Sequence, residues 1–213
     1  MNLIEGLQVL FIIPVIMVSF LYPVMLNTKL SGIIISPVVI FSLYLLFQHD
    51  APSLLLLPQG LLGGIVLFTL SVWFIERRSI FTLFKEYISN IRAFFRIGLK
   101  QFQGWLYILS TTAMVIYEEL VWRVFLVESL GLYLYPGIVV ITASFLFYYS
   151  HAAQRNFSKQ SVDLFIFSLA LTSLYFFTES FVLVVLIHWI RNMIIIINSV
   201  GEQQNKTKLA TSE

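Results

Sequence analysis

Three charged residues lie together in an apolar stretch of this sequence. Glu118, Glu119 and Arg123 give residues 118–123 the pattern E-E-x-x-x-R. A charged side chain at bilayer depth costs about 2.5–3.5 kcal/mol, so such residues are rare and usually face a partner inside a helix bundle. Glu119 and Arg123 are spaced i, i+4 with the acid first, which predicts an intrahelical ion pair. Glu118 points about 100° away from Glu119 around the helix and is therefore the carboxylate available for chemistry in a polar cavity.

Two histidines in later apolar stretches repeat the four-residue spacing. Phe147 precedes His151 in the pattern F-x-x-x-H, which predicts that the phenyl ring packs beneath the imidazole and limits its rotation. His188 and Asn192 form the pattern H-x-x-x-N, so two hydrogen-bonding side chains project from one helix face. A carboxylate and two histidines from three separate helices can converge on one point, which is how helical bundles build internal sites.

These patterns, in this order on successive apolar segments, resemble the CPBP family of intramembrane proteases. This family includes the CAAX-processing enzymes and the Abi, or bacteriocin-processing, proteins. Each pattern alone is weak in a chain with 20 phenylalanines, and the ordered combination carries the resemblance. The resemblance covers about residues 105–198.

The resemblance implies hydrolysis of a peptide bond within the membrane. It assigns Glu118 and His151 to activation of a water molecule, and His188 with Asn192 to binding of the developing oxyanion. Attack of water on an amide requires a base in hydrogen-bond reach of the water and donors aimed at the tetrahedral oxygen. The pair of Glu119 with Arg123 is interpreted as structural support for the site, together with Phe147.

The family has also been described as metalloproteases, which leaves the cofactor as either none or zinc. In the zinc version, Glu118, His151 and His188 would supply three protein ligands and leave the fourth position open. The sequence contains no H-E-x-x-H, and Asn192 is a better oxyanion donor than zinc ligand. These two points favour the metal-free version.

The composition requires that apolar helices position these residues. Of the 213 residues, 59% are hydrophobic and 11% are charged, whereas soluble domains contain about 25% charged residues. A net charge of +2 does not indicate a nucleic-acid partner, and zero cysteines exclude disulfides and a cysteine nucleophile. We therefore predict an all-α polytopic transmembrane bundle of about seven spans. The spans are predicted at 4–26, 32–47, 60–75, 105–127, 134–152, 162–178 and 180–198, with a tight hairpin at 178–180 between the last two.

The basic residues predict how the bundle is oriented in the cell membrane. The basic residues outside the spans all follow odd-numbered spans, which by the positive-inside rule places the N-terminus outside and the C-terminus in the cytoplasm. They are Lys29, then Arg77, Arg78, Lys85, Arg92, Arg96 and Lys100, then Arg155 and Lys159, and finally Lys206 and Lys208. Residues 76–104 are amphipathic as well as basic, which predicts a cytoplasmic interfacial helix resting on anionic lipid.

The predicted organisation has three parts. Residues 1–104 form the N-terminal spans and the basic amphipathic segment, residues 105–198 form the CPBP-like catalytic core, and residues 199–213 form a disordered polar tail. In these predicted spans, Glu118 lies about 20 Å along its helix from the cytoplasmic end, whereas His151 lies near the cytoplasmic end of its own helix. The two residues are therefore predicted at different depths in the membrane.

The protein is predicted to be an intramembrane endopeptidase that acts on a membrane-associated peptide or lipid-anchored protein. Its predicted partners are this substrate and the surrounding membrane lipid. One alternative is a catalytically silent relative that acts as a bacteriocin-immunity or membrane binding protein. A further alternative is a small proton-coupled transporter that uses Glu118 and Arg123 as a relay. Complete motifs and the lack of inverted repeats favour the endopeptidase.

Overall fold

The computed structural model describes residues 56–77, 79–97, 102–152 and 158–210, and all of its regular structure is helical. This confirms the predicted all-α class for the described residues. The predicted spans at 4–26 and 32–47 lie outside them. The described residues contain six helices: α1 (Leu56–Glu76), α2 (Ile80–Ile97), α3, α4 (Pro136–Ala152), α5 (Lys159–Thr178) and α6 (Phe181–Ala210). Helix α3 consists of α-helical Phe102–Glu119, π-helical Leu120–Phe125 and α-helical Leu126–Gly131.

Three of these helices are long and apolar enough to cross a membrane. The candidate spans are Leu56–Ile75 in α1, Lys159–Thr178 in α5 and Phe181–Ser199 in α6. They coincide with the spans predicted at 60–75, 162–178 and 180–198. Helices α3 and α4 cover the predicted spans at 105–127 and 134–152, but α3 carries several charges and α4 has only 17 residues. The described part of the chain therefore contains multiple candidate transmembrane helices.

Helices α5 and α6 are separated at residues 179–180, within the segment where the tight hairpin is predicted. Helix α5 begins after Ser158, whose side chain accepts a hydrogen bond from the backbone N–H of Ser161. It ends at Thr178, and the following Glu179 has a left-handed φ of 52° and donates its N–H to the Tyr175 carbonyl over 2.7 Å. A residue in this conformation stops the helix and satisfies one of its last carbonyls.

The described residues form two compact units, and the first comprises 113–185. In this unit α4 packs against α5 and against the π-helical and final stretches of α3. Its core contains Val139, Phe147, Leu171 and Val184, all almost completely buried. The four residues come from α4, α5 and the start of α6.

The second unit comprises residues 57–112 and 186–210, and in it two glycines let α1 approach α6 closely. A Cβ on Gly60 would lie 2.6 Å from Leu186 Cβ, and a Cβ on Gly64 would lie 2.7 Å from Ile190 Cβ. The two glycines have the G-x-x-x-G spacing that permits close backbone approach of membrane helices.

We expect Gly64→Ala to destabilise the protein by about 1–3 kcal/mol, because added atoms overpack this contact. The atoms in the way are Ile190 Cβ and the Ile187 carbonyl oxygen, neither of which can rotate aside. The loss should exceed the gain of about 1 kcal/mol that alanine brings to a helix. The measurement is the thermal midpoint in detergent. Gly137→Ala is the control, because a Cβ there meets nothing within 4 Å. An unchanged midpoint for Gly64→Ala would contradict the close approach.

Two other predicted segments are helical with different limits. The interfacial helix predicted within 76–104 corresponds to α2, Ile80–Ile97. Helix α6 continues through the segment predicted as a disordered tail and ends at Ala210. The residues beyond Ser199 include glutamate, glutamine and lysine, which are good helix formers, so the polar composition does not stop a helix already begun in the apolar segment.

Candidate active site

A π-helical turn directly follows the two adjacent glutamates of α3. It spans Leu120–Phe125, and the backbone N–H of Leu126 donates to the Val121 carbonyl across five residues. A π turn accommodates one more residue than an α turn and is found frequently at functional sites. Arg123 lies within this turn and is completely buried.

The ion pair predicted within E-E-x-x-x-R is present. Arg123 Nε lies 3.2 Å from Glu119 Oε2, and both side chains are 0% exposed. Arg123 Nη2 also donates to Ser168 Oγ of α5 over 3.2 Å. Two charges removed from water are stable only when they are paired and further hydrogen-bonded. The pair therefore ties the π turn of α3 to α5.

The guanidinium group of Arg123 also contacts the aromatic residue that supports His151. Its Cζ lies 4.2 Å from the centre of the Phe147 ring, a cation–π distance. The centres of the Phe147 and His151 rings are in turn 4.4 Å apart, and the Trp122 and Phe147 rings form a T-shaped pair with 6.1 Å between their centres. This confirms the predicted packing of Phe147 against the imidazole. The His151 imidazole therefore packs against the Phe147 ring, which in turn packs against the guanidinium group of the buried ion pair.

Glu118 and His151 meet in the same unit. Glu118 Oε1 lies 3.3 Å from His151 Nε2, and the two side chains are 8% and 29% exposed. The predicted spans place these two side chains at different depths in the membrane, but the structure brings them into contact. Helix α4 packs beside the π turn and the final stretch of α3, which brings the end of α4 level with Glu118.

The hydrogen bonds of His151 assign its tautomer. Nδ1 lies 2.9 Å from the Phe147 carbonyl oxygen and 3.0 Å from Ser150 Oγ, while Ser150 Oγ donates to the same carbonyl over 2.7 Å. A carbonyl oxygen only accepts, so Nδ1 carries the proton. Nε2 then faces the carboxyl group of Glu118, and this contact is attractive only with a proton between the two atoms. Glu118 and His151 therefore form a proton-sharing pair.

His188 and Asn192 lie in the second unit, one turn apart on α6. His188 is buried and Asn192 is half-buried. The neighbouring Trp189 donates its indole N–H to Thr112 Oγ1 of α3 over 2.8 Å, which fixes this part of α6 against α3. The convergence of His188 and Asn192 on the Glu118–His151 pair stays a prediction.

The zinc version of the site requires His188 beside Glu118 and His151, and that convergence stays a prediction. Among residues 56–77, 79–97, 102–152 and 158–210, no three histidine, aspartate or glutamate side chains are grouped as metal ligands would be. Glu118 and His151 contact each other directly.

Some residues that support the site were not predicted from the sequence. Ser150 touches the imidazole, Ser168 touches the guanidinium, and the Tyr175 hydroxyl donates to Glu128 Oε1 over 2.9 Å between α5 and the end of α3. Ser150 directly precedes His151 in the sequence, and this adjacency could have predicted its contact with the imidazole. Ser168 and Tyr175 lie far in sequence from their partners, and no spacing marks them.

One family model matches the chain, over the segment that holds this site. Its description is type II CAAX prenyl endopeptidase Rce1-like, and it matches residues 100–194. The match covers α3 to α6 up to the residues just beyond Asn192. Comparisons with curated proteins and with solved structures find no match.

Proposed function

Because residues 100–194 form an Rce1-like domain of the type II CAAX prenyl endopeptidase family, we propose that this protein is an intramembrane endopeptidase. It hydrolyses a peptide bond of a membrane-associated peptide or lipid-anchored protein. The observation that carries the proposal is the buried contact of Glu118 with His151, whose imidazole is fixed by Phe147 and Ser150. A group that moves a proton must be held in hydrogen-bond reach of it, and this pair meets that requirement.

The reaction follows from the proton that the pair shares. The Glu118 carboxylate takes a proton from a water molecule as the water oxygen attacks the scissile carbonyl carbon. His188 and Asn192 donate hydrogen bonds to the resulting oxyanion. When the carbon–nitrogen bond breaks, the proton on His151 Nε2 passes to the leaving amine. The proton on Glu118 then moves to His151 Nε2, which restores the starting state of the pair. One water is consumed, and a new carboxyl terminus and a new amino terminus form.

The membrane setting of this proposal is a seven-span protein of the cell membrane. The candidate spans in α1, α5 and α6 support it, as do the buried charges of α3, which require a bundle interior. The substrate is delivered within or along the bilayer. A prenylated tail and a bacteriocin-like peptide are both compatible with such delivery.

The proposal is tested by comparing protein termini in membranes that contain either the unchanged protein or Glu118→Gln. We expect new termini that depend on the unchanged protein and are absent with Glu118→Gln. The sequences around them identify the substrate. Equal abundance of both variants, checked by immunoblot, is the control. Identical sets of termini would reject proteolysis and favour a binding or immunity protein.

Orientation provides a separate prediction. Single cysteines introduced at 85, at 159 and near the C-terminus should react with a membrane-impermeant maleimide only after cells are opened. The chain has no cysteine of its own, so each label reports a single site. The expectation rests on the positive-inside rule. Labelling of residue 85 in intact cells would show that the predicted span count is wrong.

A further inference from the structure

Helix α2 has two apolar faces, and the described residues cover one of them. Leu83 and Phe94 are buried in the second unit, and the Tyr87 ring packs against Phe68 with 5.4 Å between ring centres. These residues recur with a helical spacing and define the face by which α2 is attached to the rest of the unit.

The other apolar face of α2 is exposed along most of the helix. Since successive residues are about 100° apart around a helix, the centre of this face lies about 100° from the centre of the attached face. We call this face the exposed stripe, and it consists of Phe81 (83% exposed), Phe84 (62%), Ile88 (41%), Ile91 (40%) and Phe95 (62%). A contiguous apolar row of this size on a surface indicates contact with lipid or with another protein.

Two connections place α2 at the boundary of the bilayer. The candidate span of α1 ends at Ile75, and only residues 77–79 separate α1 from α2. Farther along α2, Asn90 Nδ2 donates to Asn198 Oδ1 over 3.0 Å, and Asn198 stands at the end of the candidate span Phe181–Ser199. The start and the middle of α2 are thus each joined to the end of a candidate span, which favours a position of the helix at the level where both candidate spans would leave the hydrocarbon.

Positive charge borders the exposed stripe. Lys85 and Arg92 are exposed and spaced i, i+7, so they lie on one line of the helix. By the same helical geometry, this line runs along the side of the stripe that faces away from the attached face. When an apolar helix face enters the acyl-chain region, basic side chains beside that face extend to the depth of the lipid phosphate groups.

We propose that α2 is a docking surface for anionic phospholipid. The exposed stripe enters the acyl-chain boundary of the leaflet, and Lys85 with Arg92 binds the phosphates of anionic headgroups. This proposal does not depend on proteolytic activity. It assigns to α2 a lipid partner of defined charge and identifies which of its two apolar faces meets that partner.

Depth measurements test the position of the stripe. The full chain is reconstituted into vesicles of phosphatidylcholine and phosphatidylglycerol, with a nitroxide on Phe84→Cys or, as the matched control, on Ser89→Cys. Ser89 is exposed about 120° around the helix from the centre of the stripe. We expect the label at 84 to be accessible to oxygen and shielded from a water-soluble nickel complex, and the label at 89 to show the opposite. Equal access of the nickel complex to both labels would overturn the proposal, as would disulfide-linked dimers of Phe84→Cys, which would place a second copy on the stripe.

Lipid selectivity tests the charge. A fluorophore on Phe84→Cys is quenched by brominated phosphatidylglycerol in phosphatidylcholine, or by brominated phosphatidylcholine in phosphatidylglycerol, at equal fractions of the brominated lipid. We expect stronger quenching by the brominated anionic lipid. Lys85→Gln and Arg92→Gln should each lower this preference about two- to fivefold, because one basic residue at an anionic surface has an effect of that order. Lys159→Gln, an exposed charge outside α2, should leave it unchanged. The proposal would be overturned if Phe84→Cys with Lys85 and Arg92 intact showed no preference for the anionic lipid. It would also be overturned if Lys159→Gln lowered the preference as much as Lys85→Gln or Arg92→Gln does.

Discussion

Replacing Glu118 or His151 with alanine is expected to lower the rate of peptide cleavage by about 10²–10⁴-fold, the usual contribution of a positioned acid–base group. Each substitution removes one half of the pair joined by the 3.3 Å contact between Oε1 and Nε2. His188→Ala should cause a comparable loss, because it removes a donor to the oxyanion. The measurement is the cleavage rate of a substrate found by the comparison of termini, in the same detergent or vesicles for all variants.

The double variant Glu118→Ala/His151→Ala is expected to be scarcely worse than either single variant. Residues that act as one unit show strongly non-additive losses, because the first substitution already removes the function of the second residue. His49→Ala is the control for loss of a histidine, since His49 lies outside all three sequence patterns. Full activity in any one of the single variants would remove that residue from the catalytic set.

Glu119→Gln is expected to destabilise the protein by about 3–5 kcal/mol, because it leaves the Arg123 guanidinium buried without its charge partner. Both side chains are 0% exposed, so water cannot replace the missing carboxylate. Glu118→Gln should keep a thermal midpoint near that of the unchanged protein and lose activity, since the amide preserves shape and hydrogen bonding but cannot accept a proton from water. Purified yield, thermal midpoint in detergent and cleavage rate are measured for both variants.

A third variant separates charge burial from packing in this pair. Glu119→Gln/Arg123→Met removes both charges, so it should be more stable than Glu119→Gln alone, although it loses the contact of the guanidinium with the Phe147 ring. A stable, inactive Glu119→Gln beside an unstable Glu118→Gln would exchange the two roles. The second glutamate would then be the group that activates water.

The sequence was sufficient for interactions that form within one helix. Glu119 with Arg123 and Phe147 with His151 are each four residues apart, and a helix places such residues in contact whatever surrounds it. The hydrophobic runs likewise predicted the candidate spans of α1, α5 and α6, because length and composition alone determine whether a helix can cross a bilayer.

Interactions between helices depended on the tertiary structure. Glu118 and His151 are separated by 33 residues, and Arg123 and Ser168 by 45, so their contacts depend on how α3, α4 and α5 are packed. The sequence did not predict that the end of α4 lies at the same depth as Glu118, because predicted span boundaries are uncertain by several residues. The sequence showed α2 as amphipathic with one apolar side. Packing decided that Leu83 and Phe94 belong to a buried face and Phe81, Phe84 and Phe95 to an exposed one, because hydrophobicity alone does not distinguish a side chain that meets protein from one that meets lipid.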